Sequence, residues 1–193
     1  MNKVLFPSSE NALSRKFISV VFLVFTLKSL SLMAQYETQS YEVVGNIEGG
    51  EIRFYPPSMK VKALKSGGFS YLFKYISGGN SEKKKIAMTT PVYMDQDMME
   101  FVLPKKFDPQ NTPLPSNPRV EVYESESGYY AAFSYGGYTN PKKEEVIFEK
   151  AKTILKKNNL NFENKLLVLV YNSPYHFFNR KNEILIPIEI ESK

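Results

Sequence analysis

Two stretches of this chain carry helical period, and each is bracketed by short alternating or β-branched runs that stop at turn residues. In residues 66–77, Phe69, Leu72, Phe73 and Ile76 fall at i, i+3, i+4 and i+7, with Ser70, Lys74 and Ser77 turned away. Gly78-Gly79-Asn80 supplies the stop, because glycine readily takes the left-handed conformation at a helix C-terminus. Asn140-Pro141 opens the second helix as an N-cap followed by proline at the first helical position, where a missing N–H costs nothing. Ile147, Phe148, Ala151, Ile154 and Leu155 form its apolar stripe, and Asn158-Asn159 closes it. Strands are expected at residues 41–47, 51–55 and 60–64 before the first helix and at 86–94 and 99–103 after it. Around the second helix they are expected at 119–124, 129–135, 165–171 and 183–191. The order β-β-α-β-β thus occurs twice, and the closing strands resemble each other, Phe101-Val-Leu-Pro104 against Ile184-Leu-Ile-Pro187. Strands joined by short turns pair antiparallel, so the fold class is α+β, a duplicated β-β-α-β-β unit and not a parallel sheet. The Pro-rich stretch 108–118 is the expected seam between halves. Each half alone is too small to bury much core, which makes the two halves one domain.

Composition narrows the chemistry. The 193 residues include no cysteine, which removes disulfides, thiolate zinc sites, iron–sulfur clusters, covalent haem and cysteine nucleophiles. The one histidine, His176, rules out a multi-histidine metal cage. No Gly-x-Gly-x-x-Gly, no phosphate loop and no Gly-x-Ser-x-Gly elbow is present. Glu144 and Glu145 sit in the first turn of the second helix, where carboxylates favour the macrodipole.

The formal charge of +5 is mostly a property of the N-terminus. Lys3, Arg15 and Lys16 precede an apolar run from Phe17 to Leu27, which ends at Lys28 and leads to Ala34. A basic region, a short apolar run and a small residue at the cut are the parts of a secretory signal peptide, and the run is too short to span a bilayer. Residues 1–34 are therefore expected to be a signal peptide cleaved after Ala34, with 35–193 as the mature domain and no stable membrane anchor left behind. The leader's four cations and one anion carry three of the five net charges, leaving the mature domain near +2. With only Arg53, Arg119 and Arg180 as guanidinium groups, the domain is poorly equipped for phosphate reading, and no nucleic-acid partner is expected.

Several segments together resemble the SOUL haem-binding protein family. Tyr41-Glu-Val43 with Glu51-Ile-Arg53-Phe-Tyr55 is similar to its opening strands, and residues 69–80 are similar to its first helix and glycine stop. Lys85-Ile-Ala-Met-Thr-Thr-Pro-Val92 matches its Lys-Ile-x-Met-Thr-x-Pro-Val segment; Tyr171-Asn-Ser-Pro174 followed by Asn179-Arg-Lys-Asn-Glu183 matches its C-terminal signature. The resemblance implies a distorted antiparallel sheet with two helices in pseudo-twofold arrangement. It also implies a haem or other tetrapyrrole held non-covalently in an apolar cleft beside the first helix, facing the loop near the C-terminal signature. On this chain the cleft residues would be Phe69, Leu72 and Phe73, with Lys74 at the rim and His176 and Arg180 on the loop. Lys74 and Arg180 would serve the propionates, and His176 would be a candidate axial ligand to the iron. The branch of the family with a histidine ligand places it directly after Glu-Ile-Arg, where this chain has Phe54. His176, a tyrosine or a methionine would have to ligate instead, or the porphyrin is held without strong coordination.

Each of these residues also has a structural account. Phe69, Leu72, Phe73 and Ile76 would serve as core between helix and sheet, and Ile76 is assigned there. Arg180 and Glu183 would pair across a turn, and Glu51 and Arg53 along one strand face. The function expected is a non-catalytic, exported haem- or tetrapyrrole-binding protein, periplasmic or secreted and monomeric, for storage, buffering or transfer. The alternative is an effector-binding or protein-interaction module on the same scaffold.

Overall fold

The computed structural model describes residues 36–190, and the signal-peptide expectation lies outside them. Twelve strands are described: β1 (Glu37–Thr38), β2 (Glu42–Ile47), β3 (Gly50–Tyr55), β4 (Ser58–Leu64), β5 (Thr89–Thr90), β6 (Val92–Met94), β7 (Met98–Val102), β8 (Glu121–Ser125), β9 (Gly128–Gly136), β10 (Asn161–Phe162), β11 (Leu167–Val170) and β12 (Lys181–Glu189). Helix α1 (Gly68–Ile76) follows β4, and α2 (Pro141–Lys157) follows β9. The fold is α+β, a curled antiparallel sheet with two helices.

The main sheet runs β2-β3-β9-β12-β11-β6-β7-β4-β8, with β10 added to β12, and all its pairs are antiparallel. Outward from the central β6–β11 pair come β7, β4 and β8 on one side and β12, β9 and β3 on the other. Strand β3 pairs with β9 and β8 pairs with β4, so each half of the chain lends a strand to the other's wing. The single strand expected over 86–94 is two short ones, because Pro91 has no N–H to give the ladder.

One face of the sheet is split between the helices. Helix α1 buries Leu72, Tyr75 and Ile76 against Met59, Val61 and Ala63 of β4 and Phe101 of β7. Helix α2 buries Phe148, Ala151 and Leu155 against Ile52, Ala131, Phe133, Ile184 and Ile186. The other face carries Tyr55, Tyr93, Val102, Ala132, Leu169 and Leu185. The N-terminal segment crosses that face: β1 pairs in parallel with β5, the Tyr93 hydroxyl donates to Gln39 Oε1 at 2.5 Å, and Tyr41 packs on Tyr55. The stretch 108–118 closes over the end of α1, where the Tyr75 hydroxyl donates to the Pro113 carbonyl at 2.8 Å and Asn80 bridges to Pro115.

Candidate functional site

Helix α1 is set in place by backbone, not by a side-chain cap. Gly67 precedes it at φ 75°, a conformation that glycine takes without strain, and no side chain caps the first turn. At its far end a Cβ on Gly79 would stand 2.7 Å from the Lys74 carbonyl oxygen, so only glycine lets the chain turn back that tightly. The helix is thus rotated so that Gly68, Leu72, Tyr75 and Ile76 face the core. Leu72, expected as a cleft wall, is instead fully buried beneath the helix and accessible to nothing outside it. Ile76 is core, as expected.

Phe69 and Phe73 come out on the opposite side. They remain 47% and 51% exposed, one turn apart, with centroids 5.9 Å apart and ring planes within 10° of parallel. The Phe69 ring also meets the buried Phe101 edge-on at 5.4 Å, which anchors the pair to the core. Lys74 is exposed beside Phe73 in the last helical turn. Two ring faces anchored from below with a cation alongside suit a flat apolar ring system bearing carboxylate arms.

His176 and Arg180 lie on the loop between β11 and β12. His176 is exposed, its amide donating to the Ser173 carbonyl in a turn at 3.0 Å. Arg180 is buried: its Nη1 donates to the carbonyls of Ser173 and His176, both at 2.7 Å, and its guanidinium lies 4.3 Å from the Tyr138 ring centroid. Arg180 therefore frames the loop instead of offering a free guanidinium, and its Nε is buried without a partner. Among the described residues no hydrogen bond, ion pair or ring contact joins this group to the α1 group.

Arg180 and Glu183 do not pair. Glu183, fully buried on β12, accepts from Arg53 Nη1 at 2.8 Å and Nη2 at 3.0 Å, from the Tyr171 hydroxyl at 2.6 Å and from Ser134 at 2.8 Å. Arg53 also bonds Glu51 at 2.7 Å, the pairing expected along β3, and lies 4.1 Å from the Tyr41 ring centroid. Burial alone would raise the Glu183 pKa, but the hydrogen bonds from Arg53 and Tyr171 outweigh it and hold the group at about 2. Burial, and then the adjacent Glu183 charge, push the Tyr171 hydroxyl well up. Every oxygen of Glu183 is occupied, so this network ties β3, β9 and Tyr171, just past β11, to β12 and offers a ligand no free group. Its signal in the sequence was the Glu-Ile-Arg run; its acceptor lies 130 residues away.

A cleft of 710 Å³ opens elsewhere, between α2 and the β6–β7 turn, lined by Pro141, Glu144, Phe148, Asp95, Leu166 and Val168 among others. None of the expected site residues lines it. Among the described residues there is no group of three or more His, Cys, Asp or Glu placed to hold a metal ion, and no helix long and apolar enough to cross a membrane.

A family model described as SOUL heme-binding protein matches residues 36–187, nearly the whole of the described domain. The chain belongs to the SOUL haem-binding family. A human relative, Heme-binding protein 2, is 29% identical to this SOUL chain over 157 residues, covering 69% of this chain and 75% of the human protein. In three dimensions the chain is similar to a hydrolase from Listeria innocua, with a TM-score of 0.54 at 9% identity over 86% of this chain and 98% of the other. It is likewise similar to the EcmrR C-terminal domain, with a TM-score of 0.50 at 10% identity over 77% and 98%. At such identities these two share the fold of this SOUL protein, and the likeness says nothing of activity.

Proposed function

We propose that this SOUL-family chain is a non-catalytic, exported protein that holds haem or a related tetrapyrrole reversibly, for storage, buffering or transfer, in the periplasm or outside the cell. The observation that carries the reading is the Phe69–Phe73 pair, stacked and left half in water on a helix whose other side is fully packed. Haem is a flat apolar plate with two propionates, and burying it on such rings contributes about 25 cal/mol per Å². Lys74 is the cation available to a propionate, since the Arg180 guanidinium is engaged with the loop carbonyls. When bound, the iron supplies redox and ligand-exchange chemistry; the chain's own residues bind the plate and shield its faces. His176, exposed on its loop, is the candidate axial ligand. The basic, then apolar, then small-residue pattern of residues 1–34 supports export. The twice-occurring order β-β-α-β-β and the outward order of strands from β6–β11 support an internally duplicated unit.

Titration of the full chain with hemin tests the reading: a saturable Soret shift is expected, and its absence overturns tetrapyrrole binding. His176→Ala then moves the Soret maximum if the imidazole ligates; an unchanged spectrum and affinity remove the imidazole and leave the aromatic wall standing.

A further inference from the structure

Tyr175, Phe177 and Phe178, on the loop between β11 and β12, are 83%, 71% and 81% exposed, more than any other large hydrophobic side chain among the described residues. A soluble domain seldom leaves adjacent large aromatics in water without a surface to meet. The loop that carries them is framed from within. Arg180 Nη1 holds the carbonyls of Ser173 and His176, Ser173 Oγ accepts from the Tyr175 amide at 3.3 Å, and Asn172 Oδ1 accepts from the Lys181 amide at 2.6 Å. Polar groups of the backbone are thus satisfied on the inner side while the rings point away. That combination lowers the cost of moving the loop tip out of water, where an unsatisfied carbonyl would be expensive.

The surroundings are basic. Half-exposed Tyr138 adjoins the loop, its hydroxyl donating to the Pro174 carbonyl at 3.4 Å. Lys143 Nζ donates to the carbonyls of Gly136 at 2.5 Å and Tyr138 at 3.4 Å. Residues 136–143 and 172–181 contain no acid; in them Lys142 is exposed, Lys143 Nζ caps those two carbonyls, and Lys181 Nζ lies 3.3 Å from Glu183 Oε1 at the base of the loop. Exposed aromatic side chains on acid-free segments that carry lysines match the interface of an anionic bilayer, which takes rings at headgroup depth and attracts each cation. We propose that the Tyr175–Phe178 loop inserts into the interface of an anionic lipid bilayer, so that the domain is a peripheral membrane protein at that surface. The inference stands on the loop alone and does not depend on tetrapyrrole binding.

The chain has no tryptophan, so Phe177→Trp gives a single indole at the tip. In the full chain, mixed with phosphatidylcholine vesicles containing one part in about three of phosphatidylglycerol, that indole is expected to shift to the blue and to be quenched by brominated acyl chains. A Tyr129→Trp indole, at the opposite end of β9 from Gly136, is expected to stay unquenched under the same conditions. This contrast separates insertion of the loop from any attachment through the apolar N-terminal run. Adding Lys142→Glu to the Phe177→Trp chain is expected to raise the lipid concentration at half-quenching about fivefold. The inference is overturned if the Phe177→Trp indole is as unquenched as the Tyr129→Trp one. Equal quenching by pure phosphatidylcholine, or a midpoint unmoved by Lys142→Glu, overturns it too. An indole that responds to hemin and ignores vesicles also overturns it while supporting the tetrapyrrole reading. Quenching by vesicles without any Soret shift in the hemin titration does the reverse.

Discussion

The two helices cover different wings of one sheet and are built by opposite rules. Helix α2 follows local ones: Asn140 Oδ1 accepts from the Lys143 amide at 3.0 Å, Pro141 takes the first turn, and Lys156 and Lys157 meet the C-terminal dipole. Its inner stripe is Phe148, Ala151 and Leu155, and its outer face is largely charged. Helix α1 has nine residues, no side-chain cap and no acid in its first turn, and its outer face presents Phe69 and Phe73. So short a helix is marginal by itself and is maintained by packing. The lesson is that the helix which satisfies every local rule reads as scaffold, and the one whose solvent face breaks the rule carries the aromatic wall proposed for the ligand.

The wings of the sheet under the helices differ in the same sense, and that difference gives the largest expected effect. On the sheet face away from the helices, the wing that carries α2 has the bidentate, buried pair Arg53–Glu183, and the wing that carries α1 has the pair Lys60–Glu100, a single contact at 3.3 Å on a partly exposed carboxylate. Glu183→Gln leaves the Arg53 charge buried with only the half-exposed Glu51 to meet it, and is expected to cost about 3 kcal/mol of unfolding free energy. Glu100→Gln is expected to cost about 1 kcal/mol. The pH dependence has a fixed sign. With its pKa lowered from 4.5 to about 2 in the folded state, Glu183 contributes stability that is full above pH 4.5 and is lost as pH falls toward 2. Denaturant melts between pH 5 and 2 should show a steeper loss for the parent chain than for Glu183→Gln; parallel curves would mean that the pair carries no linked stability.

The outer faces give the next effect. Phe73→Ser removes one of the stacked rings and is expected to weaken hemin binding at least about tenfold. Because Phe73 is half in water, the unfolding free energy should fall by less than about 1 kcal/mol. Val146, equally exposed on α2, is the control: Val146→Ser should leave hemin affinity where it was. Equal losses at both positions would erase the functional distinction between the helices.

The same contrast explains what was legible in the sequence. Helix α2 could be read almost to the residue, since its beginning is written in Asn140-Pro141 and its observed span is Pro141–Lys157. Helix α1 could be located but not oriented. Phe69, Leu72, Phe73 and Ile76 make one plausible stripe; Gly68, Leu72, Tyr75 and Ile76 make another, and the second is buried. When both faces are apolar, periodicity cannot choose between them, and the choice falls to packing against Val61 and Phe101. The strands failed where the ladder depends on distant partners. Residues 86–94 divide at Pro91, and the two-residue β1 and β10 exist only because β5 and β12 lie beside them. Nearby Arg180 is the partner that sequence proximity offers Glu183, but the guanidinium that reaches it comes from β3, across β9, a juxtaposition set by the sheet order. Arg180 in turn satisfies carbonyls of its own loop, which no residue pattern announces.

The smallest expected effect probes the caps. Asn140→Ala removes the acceptor of the Lys143 amide and is expected to cost about 1 kcal/mol of unfolding free energy, while Asn140→Gly costs only a few tenths. Neither should alter hemin affinity, because the cap is part of α2 and the candidate wall is on α1. No such substitution exists for α1, whose entry is Gly67 in the left-handed region with no side-chain bond to lose. There the corresponding change is Gly67→Ala, which adds a Cβ at φ 75° and strains the backbone. It is expected to match the Asn140→Ala cost in stability and, by shifting the turn that carries Phe69, to lower hemin affinity as well. Chemical denaturation and a hemin titration on the two variants decide the matter: equal stability losses with unequal binding losses place the ligand's support on the helix without a cap, and binding losses at both would make the caps, not the faces, the common factor.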